Sequence, residues 1–121
     1  MTKTKIGLIE EIRLFGANKQ AKTLGKFDTG ARRTSIDKDL AKKLGLTKKG
    51  KIKVGNVHGH SIRELAKVTL QIKDKKIKTT ANISNRKNRK YKVLLGRDVI
   101  FGNFMIDPSL SHKSPELGDL K

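Results

Sequence analysis

Lys26-Phe27-Asp28-Thr29-Gly30-Ala31 holds the residue types best suited to chemistry in this chain. The Asp28 carboxylate sits between an apolar approach and a residue with no side chain. Gly30 lets the backbone turn tightly and brings amides close to the Asp28 oxygens. Thr29 adds a hydroxyl that can donate or accept within the same turn. A carboxylate held this way can serve as a general acid or base. Asp, Thr and Gly are also the residues of an ordinary β-turn, so the tripeptide alone leaves both readings open. His58 and His60 are a second candidate. Two apart on a strand, they point to one face and could touch a metal, but a polar loop tip accounts for them better. No His-Glu-x-x-His pattern occurs, and no glycine-rich loop ends in Gly-Lys-Ser or Gly-Lys-Thr. Neither a metal nor any other cofactor is therefore expected.

The elements that must position Asp28 are mostly strands. Lys5 to Leu14 carries Ile6, Leu8, Ile9, Ile12 and Leu14, and its β-branched content favours a strand. Phe15-Gly16-Ala17-Asn18 reads as a turn. Gln20 to Phe27 returns as the partner strand and delivers Asp28 at its end. Thr34 to Ile36 is a short extended piece. Asp37 to Leu44 is a short helix, which Ser35 or Asp37 can cap and Gly45 ends, with Leu40, Ala41 and Leu44 as its apolar stripe. Lys51 to Val57 is the next strand, broken by Gly55 and Gly59. Ile62, Ala66, Val68, Leu70 and Ile72 lie on even positions. After a turn at Lys73 to Lys76, Ile77, Thr79, Ala81 and Ile83 alternate on odd positions, which makes a β-hairpin. Tyr91 to Leu95 is nearly all apolar, implying a strand buried on both faces. Gly96 closes it, and Arg97 to Phe101 forms one or two helical turns. Asp107-Pro108 ends the folded part.

At 121 residues the chain fits one domain, 1–108, followed by a mobile tail, 109–121. Lys and Arg number 29 against 11 Asp and Glu, a formal charge of +18. Such a field attracts nucleic acid, acidic peptides or anionic lipid. With 35% hydrophobic residues the chain can build a small sheet-rich domain but not a large core. The absence of cysteine rules out disulfides and thiolate metal sites and fits a reducing compartment. No apolar run approaches about 18 residues and no signal-type segment is visible, so a soluble cytoplasmic protein with no membrane partner is expected.

Two stretches carry a resemblance. Asp28-Thr29-Gly30-Ala31 follows a strand, and Val93-Leu94-Leu95-Gly96-Arg97-Asp98 is an apolar strand ending in glycine before a short helix. Between them lie a helix, a glycine-bearing hairpin tip and a long hairpin. This order resembles the retropepsin-like aspartic peptidases across residues 5–108. It is most similar to the prokaryotic branch found alongside ATP-grasp ligases and sometimes labelled "ATP-dependent zinc protease". The matching stretches are Lys26 to Ala31, Thr34-Ser35, Asn85-Arg86, Tyr91 to Arg97, and Phe104-x-Ile106-Asp107-Pro108-Ser109. The resemblance implies a mostly β, closed barrel-type acid protease fold with one or two short helices and one lobe per chain. It makes Asp28 the catalytic aspartate and Thr29, Gly30 and Ala31 its loop. Gly55, Asn56, Val57, His58 and Gly59 would form a flap over substrate. Leu95 and Gly96 would pack against the catalytic loop, and Arg97 would anchor the base of the site. One departure stands out. Viral members usually carry an acidic residue just after the loop, paired with the arginine matching Arg97. Here Arg32 and Arg33 stand there, and Asp98, Asp107 and Asp37 become the candidate partners of Arg97.

Aspartic peptidases work with two carboxylates sharing a proton. This chain has one Asp-Thr-Gly, and its other aspartates lack that context. The resemblance therefore implies a homodimer with Asp28 from each copy, the facing loops braced through Thr29. Arg32 and Arg33 beside the cleft suit an acidic peptide. The association with ATP-grasp ligases, some of which add glutamates to proteins, points the same way. The lysine-rich stretches can be a solvated surface or an electropositive groove. Nucleic acid finds no stacking platform, because few aromatics are present and most look buried, so only non-specific phosphate attraction is expected. Two functions follow. One is an aspartic endopeptidase. The other is a non-catalytic dimeric module of the same fold that holds an acidic protein or RNA on its basic surface. Intact Asp28, Thr29 and Gly30 favour the first.

Overall fold

The computed structural model describes residues 2–110. The expected opening strand is two strands. β1 (Thr4–Ile6) pairs in parallel with β9 (Phe104–Ile106), and β2 (Ile9–Phe15) starts afresh. The break at Gly7-Leu8 has a local cause: the buried Glu10 carboxylate accepts from the Gly7 N–H at 2.8 Å. The other Glu10 oxygen meets Lys73 Nζ at 3.4 Å. Leu8 turns its carbonyl to the Phe27 N–H at 2.8 Å, which ties the start of β2 to the end of β3 (Gln20–Phe27).

The other strands are β4 (Ser35–Asp37), β5 (Thr47–Asn56), β6 (Gly59–Ile72), β7 (Lys75–Ser84) and β8 (Val93–Leu95). Their order is β2-β3-β8-β4-β7-β6-β5, and β2 also pairs with β6. That pairing closes β2, β3, β8, β4, β7 and β6 into a barrel, the fold expected. Ile12, Leu14, Ile36, Leu70, Val93 and Leu95 fill it with no exposed surface. The even positions of β6 from Ala66 to Ile72 face this core, as do Ala81 and Ile83 of β7. Ile62 belongs to the same stripe by sequence but is 71% exposed. There β6 has run past the barrel and pairs with β5 alone, so no second layer covers it.

α1 (Lys38–Leu44) is capped by Asp37, whose carboxylate accepts from the Asp39 N–H at 3.2 Å, while Ser35 stays in the sheet. Gly45 ends the helix at φ 63°, the left-handed conformation that favours glycine. β5 begins four residues earlier than expected, because a bulge between Lys48 and Gly50 absorbs the irregular start. Gly55 does not break it: pairing continues to Asn56↔Gly59, and the turn is Val57-His58. Tyr91 is buried but precedes β8, which spans only Val93–Leu95. α2 (Arg97–Ile100) stops one residue short of Phe101, which is 85% exposed although most aromatics looked buried from the sequence. Past Asp107, Pro108–Leu110 forms a 3-10 turn, so Ser109 and Leu110 of the expected tail are structured; 111–121 lie outside the described residues.

Candidate active site

β8 lies between β3, its parallel neighbour, and β4, its antiparallel neighbour. The loop that joins β3 to β4 must therefore cross the end of β8, and that loop carries Asp28. The Asp28 N–H donates to the Leu95 carbonyl at 2.8 Å. Just before it, Phe27 is buried edge-on against Phe104, with ring centroids 5.8 Å apart. The Gly30 N–H donates to Asp28 Oδ1 at 2.9 Å, and the Ala31 N–H donates to the Asp28 carbonyl at 3.1 Å. The tripeptide is thus a turn and a carboxylate cradle at once. A Cβ on Gly30 would lie 3.2 Å from Asp28 Oδ1, a tight contact that asks the carboxylate to give by a few tenths of an ångström. Asp28, Thr29 and Gly30 are exposed on the single chain.

Arg97 holds the loop through backbone. Its N–H donates to the Ala31 carbonyl at 2.8 Å and its Nη1 to the Thr29 carbonyl at 2.9 Å. The three carboxylates considered as its partner are engaged elsewhere. Asp37 caps α1 and accepts from the Arg86 N–H. Asp107 accepts from the Ser109 N–H and hydroxyl, which hold its carboxyl below the usual range. Asp98 accepts from the Thr34 N–H and Oγ1, both at 2.9 Å, and from Thr79 Oγ1 at 2.7 Å. Arg97 thus takes a backbone carbonyl as its partner, and the residue after the loop, Arg32, is itself a cation.

Asp98 and Thr34 are the supports that sequence reasoning missed in this role. Thr34 is fully buried, accepts from the Gly96 N–H at 3.2 Å and donates its hydroxyl hydrogen to Asp98 Oδ1 at 2.9 Å. The chain Gly96, Thr34, Asp98, Thr79 thus ties the loop to α2 and β7. Asp98→Ala leaves the buried Thr34 N–H without its acceptor, so it should destabilise the fold by about 2–3 kcal/mol. Urea denaturation checks this, with an unchanged m-value as the sign that only stability moved.

Register places the rest of the site. Lys26, Leu94, Ser35, Asn82 and Leu65 stand side by side across β3, β8, β4, β7 and β6. Their strand neighbours Phe27, Leu95, Ile36 and Ala81 point into the core. This row therefore faces the other side, and Asp28, two residues past Lys26, shares that face. Leu94, Ser35 and Asn82 run along that face away from Asp28, with Ser35 and Asn82 themselves buried. The β5–β6 hairpin projects past the barrel, with Val57 95% exposed at its turn. His58 is in that turn and His60 on β6, so strand parity does not put both on one face. Among the described residues no group of three or more His, Asp or Glu side chains could hold a metal. Arg32 is exposed. Arg33 is half-buried, with Nη1 3.4 Å from the Thr80 carbonyl and Nε buried without a hydrogen-bond partner. Among the described residues no helix is long and apolar enough to cross a membrane.

A family model described as aspartyl protease matches residues 15–99. The chain belongs to the aspartyl protease family. Solved structures show the same retropepsin-like fold. A Legionella pneumophila protein of unknown function aligns at TM-score 0.64 and 22% identity, covering 93% of this chain and 98% of its own. The protease of EIAV, solved with an inhibitor, aligns at TM-score 0.61 and 20% identity over 76% of this chain and 83% of its own. The simian foamy virus protease gives TM-score 0.55 and 17% identity over 74% and 87%. No curated protein matches the chain. The matched segment includes the turn at Asp28.

Proposed function

We propose that the protein is an aspartic endopeptidase, active as a homodimer, with Asp28 from each copy forming the catalytic pair. The observation that carries this is the exposed, amide-held Asp28 carboxylate on the one Asp-Thr-Gly loop of a chain in the aspartyl protease family. One carboxylate takes a proton from water as the water attacks the scissile carbonyl, and its protonated twin polarises the carbonyl oxygen. Thr29 from each copy braces the facing loops, and the β5–β6 hairpin turn from Gly55 to Gly59 closes over substrate. Arg97 fixes the loop through the Thr29 carbonyl. The preferred substrate is an acidic, glutamate-rich peptide, favoured by the +18 charge and by Arg32 and Arg33 on the loop.

The test has two parts. Sedimentation is expected to show a dimer, and a monomer at every usable concentration overturns the catalytic reading. Incubation with a mixed peptide library across about pH 4 to 8, read by mass spectrometry, is expected to yield new termini enriched near glutamate. Equal cutting of neutral and poly-glutamate peptides, unchanged by charge reversal at Arg32 and Arg33, removes the acidic preference. Salt-sensitive RNA binding without any cleavage establishes the binding module instead.

A further inference from the structure

Beyond Leu94 and Ser35 this face runs into three guanidinium groups that the catalytic step does not use. Arg63 lies on β6 one residue past the last β6–β7 pair, Glu64↔Ile83, and its Nη1 reaches Asn82 Oδ1 at 3.2 Å. Arg86, after β7, is fixed at two points: its N–H donates to Asp37 Oδ1 at 2.7 Å and its Nε to the Tyr91 carbonyl at 2.8 Å. Arg89 closes the same turn, its N–H on the Arg86 carbonyl at 2.9 Å. Lys92 Nζ braces this loop on the carbonyls of Arg86 and Lys87.

The cluster is electrostatically unbalanced. Burial, then Arg89, then Arg63 lower the Arg86 pKa from its ordinary value, against a smaller opposing pull from Asp37. Asp37 is already shared between the Arg86 N–H and the Asp39 N–H. Gathering three cations around one committed carboxylate is unfavourable until another anion joins them.

We propose that Arg63, Arg86 and Arg89 form a subsite for the side-chain carboxylate of an acidic residue in the bound peptide, about four residues from the scissile bond. The proposal rests on the peptidase reading of the groove and adds to it which residues select the substrate and where along it. Asp28 is anchored on the Leu95 carbonyl and Arg86 on that of Tyr91, four residues upstream. At about 3.3 Å per extended residue the two anchors lie at most about 13 Å apart, because Lys92 bends before β8, so the subsite is reached within four residues of an extended peptide. The planar guanidinium matches a carboxylate with paired, charge-assisted hydrogen bonds. A symmetric dimer carries one such subsite at each end of its groove.

The test uses the full-length Asp28→Asn protein, which cannot turn substrate over, and two fluorescent peptides read by anisotropy. They differ only in having Glu or Gln at the fourth residue on either side of a common apolar pair. The Glu peptide is expected to bind about tenfold tighter, the scale of a charge-assisted hydrogen bond. Arg63→Gln and Arg89→Gln each bring that ratio toward one. Arg86 is left in place because its Nε ties the loop. Lys78→Gln, near the opposite end of β7, removes the same charge and leaves the ratio unchanged. The subsite is overturned if the arginine variants keep the ratio, if Lys78→Gln lowers it equally, if neither peptide binds, or if an RNA oligonucleotide of equal charge displaces the Glu peptide just as well from wild type and arginine variants. Arginine-dependent Glu binding without cleavage by the wild type keeps the subsite and removes the peptidase. Wild-type cleavage of Glu and Gln peptides alike keeps the peptidase and removes the subsite.

Discussion

Asp28→Asn should lower kcat/KM for peptide cleavage by about 10^3-fold or more, the scale on which a general acid–base group acts. The substitution is nearly isosteric. The amide oxygen can still accept from the Gly30 N–H that now holds Oδ1, so the loop and the melting temperature should be preserved. What is lost is the ability to take a proton from water. Because each copy supplies the same residue, the defect is shared in mixtures. If chains exchange freely and one Asn inactivates the pair, equal amounts of wild type and variant leave about a quarter of the dimers competent. A linear dependence on wild-type fraction would mean that one chain suffices. Equal cleavage by both proteins would remove Asp28 from the chemistry altogether.

Gly96→Ala should act on stability and activity together. Gly96 has φ −94° and ψ −172°, an extended conformation open to any residue, so the backbone itself carries no penalty. The obstacle is space. A Cβ there would lie 2.6 Å from the Arg33 carbonyl carbon, 2.7 Å from its oxygen and 3.0 Å from the Ala31 oxygen. All three are backbone atoms of the Asp28 loop and cannot swing aside as a side-chain end would. Relief requires moving the loop away from β8, which costs about 1–3 kcal/mol or more and disturbs the Arg97 N–H bond to Ala31. A matched control is Gly16→Ala, whose Cβ would sit 1.9 Å from the Leu44 carbonyl oxygen, away from the site. Both variants should unfold earlier in urea. The folded fraction of Gly16→Ala should keep its kcat, while that of Gly96→Ala should not. Equal kcat in the two folded fractions would show that the loop tolerates displacement.

Parts of this molecule were legible because one local rule governed them. The alternation on β6 and β7 is dictated by a barrel interior on one side and solvent on the other, so period-two patterning located both strands. Asp37, Leu44 and Gly45 marked α1 because capping and the left-handed stop are local. The Asp28 turn was visible for the same reason. The failures came where a distant partner decided the outcome. The break at Gly7 is the local exception, because the Glu10 carboxylate three residues on takes its N–H and apolar spacing does not mark it. Ile62 keeps the apolar stripe in sequence but outruns the barrel that would have buried it. The partner of Arg97 was sought among carboxylates by charge, whereas the fold supplies the Thr29 carbonyl. Arg63 joins Arg86 and Arg89 only through the pairing of β6 with β7, which no local spacing records.

The placement of β8 between β3 and β4 sets the order in which the molecule can be made. Asp28 is written early in the chain, but the groups that hold its loop arrive late: Thr34 and Asp98 are 64 residues apart, and Arg97 and Thr29 are 68 apart. Closing contacts over such separations is slow and entropically opposed until the intervening hairpins have formed. A nascent chain that has emerged only as far as β7 carries the aspartate on an unsupported loop. The barrel must finish before the loop acquires its shape. On the proposed reading, in which two finished barrels must also meet, the chain's own unfolded segments are shielded from cleavage during synthesis.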